Sequence, residues 1–160
     1  MSEPPTTGGK ALDPLLIVQD FLAGFGKSNA DDLDNMRRCL AEDVFFDTGT
    51  KKLYSRQEAL DHLANSAPVY GITTFRCRSR HSAVDGNRVF NERWDDLIDD
   101  QGEVVATAEL ASVFEIEDGK IKSWRDYYNP DGLRAALTKR NFQGGFIATD
   151  EASAEPAAIS

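Results

Sequence analysis

The chain has 160 residues, enough for one domain with a hydrophobic core of its own. Hydrophobic residues make up 41% and charged residues 28%, as is typical of an ordinary globular protein. The formal net charge of -9 argues against a nucleic-acid surface or an anionic membrane as a partner, because both need a basic footprint. Neutral and cationic small molecules remain as candidate ligands.

The two ends of the chain differ in composition from its middle. Residues 1–10, MSEPPTTGGK, predict a disordered N-terminal tail, and residues 141–160 predict a flexible C-terminal tail. Residues 11–140 are predicted to form a single domain. The N-terminus lacks the basic and apolar regions of a signal peptide, and no apolar run could span a bilayer, so we expect a cytoplasmic protein.

The first half of the chain predicts three helices and one short strand. Asp13 is a good N-cap with Pro14 at the first helical position, and apolar residues then recur at helical spacing up to Gly26. Ser55 begins the third helix, and Glu58 completes a capping box. The remaining predicted elements are a helix over 30–40 and a strand that starts at 44–46.

After Pro68 the apolar pattern changes to a period of two, which predicts strands. Turn signals at 85–87, 99–102 and 118–120 separate four runs, so we expect an antiparallel meander. A short helix over 133–137 follows. Helices followed by a long antiparallel sheet predict an α+β fold in which the sheet curls around the helices and leaves a conical pocket. The four predicted strands are Ile72–Val84, Arg88–Ile98, Val104–Ile116 and Ile121–Tyr128.

Three charged residues in these strands are candidates for acid–base chemistry. Arg93 and Asp95 point to one face of their strand, with Trp94 on the other. If Asp126 on the last strand faces the same cavity, one guanidinium lies between two carboxyl groups, which can then share a single proton. The planar guanidinium can bond both acids and does not titrate itself. Alternating charges are also typical of a solvated face, and the residues alone do not say which acid is the base.

Two motifs resemble the limonene-1,2-epoxide hydrolase family. They are Arg93-Trp94-Asp95 and the segment Gly-Lys-Ile-Lys-Ser-Trp-Arg-Asp-Tyr-Tyr at 119–128. The likeness extends back through Ala-Glu-Asp at 41–43 and covers roughly Leu15 to Leu137. The resemblance implies the cone-shaped α+β roll of nuclear transport factor 2, ketosteroid isomerase and cystatin-like proteins, with a curved mixed sheet around the N-terminal helices.

The resemblance also implies a function. It implies one-step addition of water to an epoxide on a small hydrophobic, terpenoid-like or cyclic molecule, which gives a vicinal diol. Asp126 would be the base that activates water, Asp95 the acid that protonates the epoxide oxygen, and Arg93 the bridge between them. No metal or organic cofactor is implied. We also expect a homodimer, since sheet faces in such folds often pair.

The chain departs from the family where the catalytic water is positioned. The family uses a Tyr and an Asn two residues apart, and those places are Phe46 and Thr48 here. Phenylalanine cannot hydrogen-bond water, whereas the threonine hydroxyl can. Trp124 and Tyr128 are the other residues predicted to bind water or substrate. Tyr54, Tyr70 and Asp47 are alternative groups for positioning the water.

Two other functions stay open. An isomerase or cyclase for a polyketide- or terpenoid-like substrate would use Asp95 or Asp126 to move a proton without adding water, and Phe46 favours this by drying the pocket. A non-catalytic ligand-binding or dimerising module would need neither acid.

The remaining titratable residues are predicted to play structural roles. His62 and His81 are expected at the surface, because neither has a catalytic partner at motif spacing. Cys39 and Cys77 match no metal or redox spacing and are expected to be buried, inert thiols. The alternating arginines are expected to form a solvated or dimer-facing stripe. These arginines are Arg76, Arg78 and Arg80.

Overall fold

The computed structural model of the protein describes residues 12–143, which form an α+β fold of four α-helices and one six-stranded sheet. The predicted tail at 1–10 and residues 144–160 of the predicted C-terminal tail lie outside this range. The helices are α1 (Pro14–Ala23), α2 (Asn29–Cys39), α3 (Arg56–Ser66) and α4 (Pro130–Gln143). The strands are β1 (Leu40–Asp47), β2 (Lys52–Leu53), β3 (Ile72–Asp85), β4 (Arg88–Asp99), β5 (Val104–Glu117) and β6 (Lys120–Tyr127).

The predicted N-caps form, but the capping box does not close as expected, because the Glu58 carboxylate accepts from the Tyr54 N–H at 2.7 Å in place of the Ser55 N–H. The Asp13 carboxylate accepts a hydrogen bond from the Leu15 N–H at 3.0 Å, and Ser55 Oγ accepts one from the Glu58 N–H at 3.1 Å. The helix ends differ from the prediction. α1 stops at Gly24 instead of Gly26, and α2 stops one residue early because Leu40 already has the extended backbone of β1.

The sheet order is β2-β1-β6-β5-β4-β3. Strands β3 to β6 form the predicted antiparallel meander, whereas β1 pairs with β6 in parallel, so the sheet is mixed. The predicted strand at 44–46 is therefore longer than expected and covers Leu40–Asp47. The pairing of β1 with β6 joins residues about eighty positions apart, which local patterns do not reveal.

One face of the sheet is buried against the helices. On β5, alternate residues from Ala106 to Ile116 are buried, and Thr107, Glu109 and Ala111 between them are exposed. These burial values assign the inward face of β5. The inward side chains of the strands therefore converge on one interior, as the predicted curved sheet requires.

The interior holds two neighbouring apolar clusters. One packs α1 and α2 onto the sheet around Phe21, Phe114 and Trp124. The other lies beneath α4 around Phe75 and Leu97. No helix within residues 12–143 is both long enough and apolar enough to cross a membrane, and a cytoplasmic location stays a prediction.

Candidate active site

Arg93 and Asp95 form a buried ion pair on the inner face of β4. Arg93 Nε lies 2.8 Å from Asp95 Oδ1, and Arg93 Nη2 lies 3.2 Å from Asp95 Oδ2. Both residues are almost completely buried, at 0% and 1% exposure. Two parallel N–H···O bonds of this kind fix the carboxylate plane as well as its position.

Asp126 joins this pair through Ser112, the facing residue on β5. Arg93 Nη1 donates to Ser112 Oγ at 2.6 Å, and Ser112 Oγ donates to Asp126 Oδ1 at 2.5 Å. The direct separation between Arg93 Nη2 and Asp126 Oδ1 is 3.6 Å, which is longer than a hydrogen bond. The expected bridge between the two acids therefore runs partly through a serine that the sequence did not single out.

Trp124 screens Asp126 from the helical side of the interior. Its Nε1–H donates to Asp126 Oδ1 at 2.6 Å, and its ring stacks on Phe46 with centroids 3.9 Å apart. Phe114 and Phe21 pack against the same indole. Trp124 is thus both a hydrogen-bond donor to one acid and part of an apolar wall.

The neighbouring carboxylates keep Arg93 positively charged. Burial by itself opposes the charge, but the carboxylates of Asp95 and Asp126 outweigh it and raise the pKa of the guanidinium above its usual range. Arg93 therefore remains a fixed cation. It can hold and orient the acids but does not exchange protons with them.

A narrow cavity opens beside this group. The volume open to the centre of a water molecule is about 30 Å³, room for roughly two waters. Most of its lining is apolar, and Asp95 and Arg93 form its charged floor. Asp126 is not among the residues that line it. The lining residues are Leu22, Phe25, Met36, Phe46, Ala59, His62, Leu63, Ser66, Phe75, Cys77, Arg93, Asp95 and Trp124.

Thr48 and Tyr128 are not among the residues that line this cavity. The Thr48 hydroxyl accepts from the Lys51 N–H at 3.0 Å and holds the turn between β1 and β2. Tyr128 is half-buried beside Gly49. Burial, followed by the charges of Asp126 and Asp47, raises the pKa of the Tyr128 phenol above its usual value. Of the four predicted water- or substrate-binding residues, Phe46 and Trp124 are the two at the cavity.

His62, which is expected at the surface, lines the cavity, and so does Cys77, which is expected to be a buried, inert thiol. His62 is half-buried on α3, and the spacing of Ala59, His62, Leu63 and Ser66 places all four on one helical face. That spacing was the signal in the sequence that could have identified His62. His81, by contrast, is exposed as predicted.

Cys77 is half-buried and sits opposite Asp95 in the register of β3 and β4. Burial first, and then the charge of Asp95, raise the pKa of the Cys77 thiol well above its usual value. A hydrogen bond from the thiol to the Asp95 carboxylate acts in the same direction. The Cys77 thiol is therefore neutral and donates a hydrogen bond to the Asp95 carboxylate. Cys39 is buried, as expected.

The arginine stripe lies on the outer face of the sheet and is paired. Arg76 and Arg78 both donate to the buried Asp96 carboxylate, at distances of 2.7 to 3.0 Å. The hydrogen bond from Arg78 is the largest cause that lowers the pKa of Asp96 to about 2. The Arg80 guanidinium lies over the Trp94 ring, 4.5 Å from its centroid. The stripe is thus an ion-pair network on the face of the sheet opposite to Arg93 and Asp95.

Comparison with known sequences identifies one family. The family described as "SnoaL-like domain" matches residues 18–124, which covers most of the described chain. No curated protein matches the sequence.

Several solved structures share the fold at low identity. An epoxide hydrolase from M. tuberculosis, described as like limonene-1,2-epoxide hydrolase, is 22% identical with a TM-score of 0.61, over 82% of this chain and 96% of that one. TerC, crystallised with polyporic acid, is 17% identical with a TM-score of 0.64, over 78% and 97%. A candidate polyketide cyclase from Xanthomonas campestris pv. campestris is 23% identical with a TM-score of 0.58, over 78% and 96%. At these identities the likeness extends to the fold, which is the predicted one.

Proposed function

The chain belongs to the SnoaL-like domain family, and on that premise we propose that it is a cofactor-independent epoxide hydrolase for small hydrophobic epoxides. The observation that carries the proposal is the buried chain of hydrogen bonds from Asp95 through Arg93 and Ser112 to Asp126. Such a group places two acids on one fixed cation next to an apolar cavity. The resemblance of the Arg93-Trp94-Asp95 and 119–128 motifs to limonene-1,2-epoxide hydrolases supports the same reaction.

The reaction would move one proton through each acid. Once the entering substrate displaces the Trp124 ring and opens the cavity toward Asp126, this acid takes a proton from water as the water oxygen attacks an epoxide carbon. Asp95 gives its proton to the epoxide oxygen as the C–O bond breaks. The product is a vicinal diol, and exchange with solvent then returns both acids to their starting states. Arg93 stays charged and keeps the acids in place, as the high pKa of its guanidinium favours.

The substrate must be apolar and must widen the cavity. The present space holds roughly two waters, so a ring-sized molecule has to displace lining side chains. Four of the lining residues are half-buried, namely Phe25, His62, Leu63 and Cys77. Phe25 and Leu63 are the two of these with large apolar side chains. We propose that they move outward when substrate enters.

The test uses limonene 1,2-epoxide and cyclohexene oxide in water labelled with oxygen-18. We expect one labelled oxygen in each diol, detected by mass spectrometry, because the nucleophile is water. Asp95→Asn and Asp126→Asn should each lower kcat/KM by about a hundredfold or more, since each loses an acid–base group. Asp96→Asn, on the outer face of the same strand, is the matched control and should retain the activity. Failure to form any diol at high enzyme concentration would refute the proposal.

A second candidate is an isomerase or cyclase that adds no water. The specific observation in its favour is that Trp124 and Phe46 screen Asp126 from the cavity, which leaves Asp95 as the carboxyl group that faces a ligand. A single acid in a dry cavity suits an intramolecular proton transfer. Products that carry no oxygen-18 and keep the mass of the substrate would favour this candidate over hydrolysis.

A non-catalytic binding role predicts a different pattern. The Asp95→Asn and Asp126→Asn variants would then turn over no less substrate than the wild type, because neither acid would have a chemical task. Equal and near-background rates in all three proteins, with ligand binding retained, would favour a binding module.

A further inference from the structure

The helical wall of the cavity contains Ser66, a polar residue that the proposed chemistry does not use. Ala59, His62, Leu63 and Ser66 form one face of α3, and all four line the cavity. Ser66 is the last residue of α3 and is 7% exposed. Asp95 and Arg93 belong to the sheet, so the serine lies on a different wall from the charged pair.

The Ser66 hydroxyl has no hydrogen-bond partner among the described residues. It does not cap the short 3-10 helix Ala67–Tyr70 that follows it. A buried serine in a helix usually bonds a carbonyl of the preceding turn, and a buried hydroxyl without any partner is destabilising. A serine kept in this state on a cavity wall has a capacity for hydrogen bonding that a ligand can satisfy.

We propose that Ser66 is a specificity-determining residue that binds an oxygen of the substrate remote from the reacting carbon. The substrate class is then an oxygenated apolar molecule, such as a terpenoid epoxide with a hydroxyl or carbonyl on its far side. To call this ligand a substrate rests on the proposed function. The existence of a binding site at Ser66 does not depend on that function. Widening of the cavity by the entering ligand brings the ligand oxygen to the Ser66 hydroxyl, while the reacting group remains at Asp95.

The test compares two ligands that differ by one oxygen. p-Menth-1-ene and α-terpineol share a carbon skeleton and the ring alkene, and α-terpineol adds one hydroxyl on the side group across the ring from that alkene. Dissociation constants from NMR titration give the preference for the hydroxylated ligand. We expect Ser66→Ala to reduce that preference about tenfold relative to wild type. Ser66→Cys should fall between them, since a thiol is a weak donor.

Asn65→Ala is the matched control, because Asn65 is exposed on the same helix. It should leave the preference unchanged. Ser66→Ala removes a hydroxyl without a partner from a helix, so it should melt no lower than the wild type. An equal preference in wild type and Ser66→Ala, or an equal loss in Asn65→Ala, would overturn the inference.

A kinetic experiment distinguishes failure of this inference from failure of the proposed function. The 1,2-epoxides of p-menth-1-ene and α-terpineol are compared by kcat/KM in the same variants. A Ser66-dependent preference in binding, without hydrolysis of either epoxide, would uphold the subsite and refute the hydrolase. Hydrolysis of both epoxides with no Ser66-dependent preference would do the reverse.

Discussion

At the scale of single residues, Ser112 links the Arg93 cation to the second acid. Its hydroxyl accepts from Arg93 and donates to Asp126, so it sets the distance between the cation and the second acid. Ser112→Ala should lower kcat about ten- to a hundredfold with little change in KM, because misplacement of a catalytic group costs rate more than binding. Steady-state kinetics with the epoxides check this.

The control for Ser112 is Ser123→Ala. Ser123 is also buried, but on the neighbouring strand, where its hydroxyl accepts from Arg125 Nη1 at 3.2 Å. It should keep the wild-type rate. Equal rates in the two variants would show that Ser112 does not position Asp126.

Sequence patterns predicted some of these residues and not others for physical reasons. Arg93, Asp95 and Asp126 could be found because strand alternation and a long motif coincide. Ser112 could not, because Ala106 and Ala108 blur the alternation of β5. Thr48 is expected at the water site, but its hydroxyl accepts from the backbone N–H of Lys51 in its own loop. Residue spacing cannot decide whether such a hydroxyl bonds its own loop or a water in the cavity.

At the scale of elements, β4 carries two adjacent acids with separate tasks. Asp95 faces the cavity, whereas Asp96 faces outward and holds Arg76 and Arg78. Asp96→Asn should lower the free energy of unfolding by about 1 to 2 kcal/mol at pH 7, a modest loss because the arginines are half-exposed and screened by water.

The pH dependence of that loss has a definite sign. The pKa of Asp96 is lowered to about 2 in the folded state, so its contribution is present above its ordinary pKa near 4 and is lost as pH falls through 2. Urea unfolding at several pH values should show the wild type and Asp96→Asn converging in acid. A constant difference down to pH 2 would contradict the assignment.

A second buried acid, Asp32, ties the loop after α1 to β3. Its carboxylate accepts from the Gly26 N–H, the Thr74 hydroxyl and the Phe75 N–H at 2.7 to 3.3 Å. Burial outweighs these hydrogen bonds and raises the pKa of Asp32 to about 6. The folded state therefore binds the proton more tightly than the unfolded chain does.

The consequence is a stability that falls as pH rises. The contribution of Asp32 is fully present below pH 3.8 and is lost as pH rises through about 6. Relative to Asp32→Asn, which does not titrate, the wild type should lose about 3 kcal/mol of unfolding free energy between pH 3.5 and pH 7. Parallel stability profiles of the two proteins in urea would rule this out.

At the scale of the whole molecule, we expect a homodimer formed through the outer face of the sheet. Phe90 and Tyr127 are 43% and 58% exposed there. Phe90 pairs with Val113 and Tyr127 with Ala111, so these four apolar residues occupy neighbouring positions on the outer face. Light scattering should give twice the 17.7 kDa chain mass, and Phe90→Glu should give the monomer by placing a charge among these residues. A monomeric wild type would refute the dimer.

The fold class and the meander followed from local patterns, since turns and alternation repeat within short windows. The parallel pairing of β1 with β6 did not, because it depends on which edge of the finished sheet is free. The core could be located in the same way, because it follows from the periodicity of apolar residues. The cavity could not, because its helical wall brings His62 and Ser66 close to residues that are far away in the chain.

The pairing of β1 with β6 sets an order of events during synthesis. Phe46 leaves the ribosome long before Trp124, and the stack between their rings cannot form until the last strand has emerged. The second acid and its tryptophan are therefore synthesised only after α1 to α3 and β1 to β5. A nascent chain that stops short of β6 would leave the facing edges of β1 and β5 unpaired, and unpaired strand edges favour aggregation.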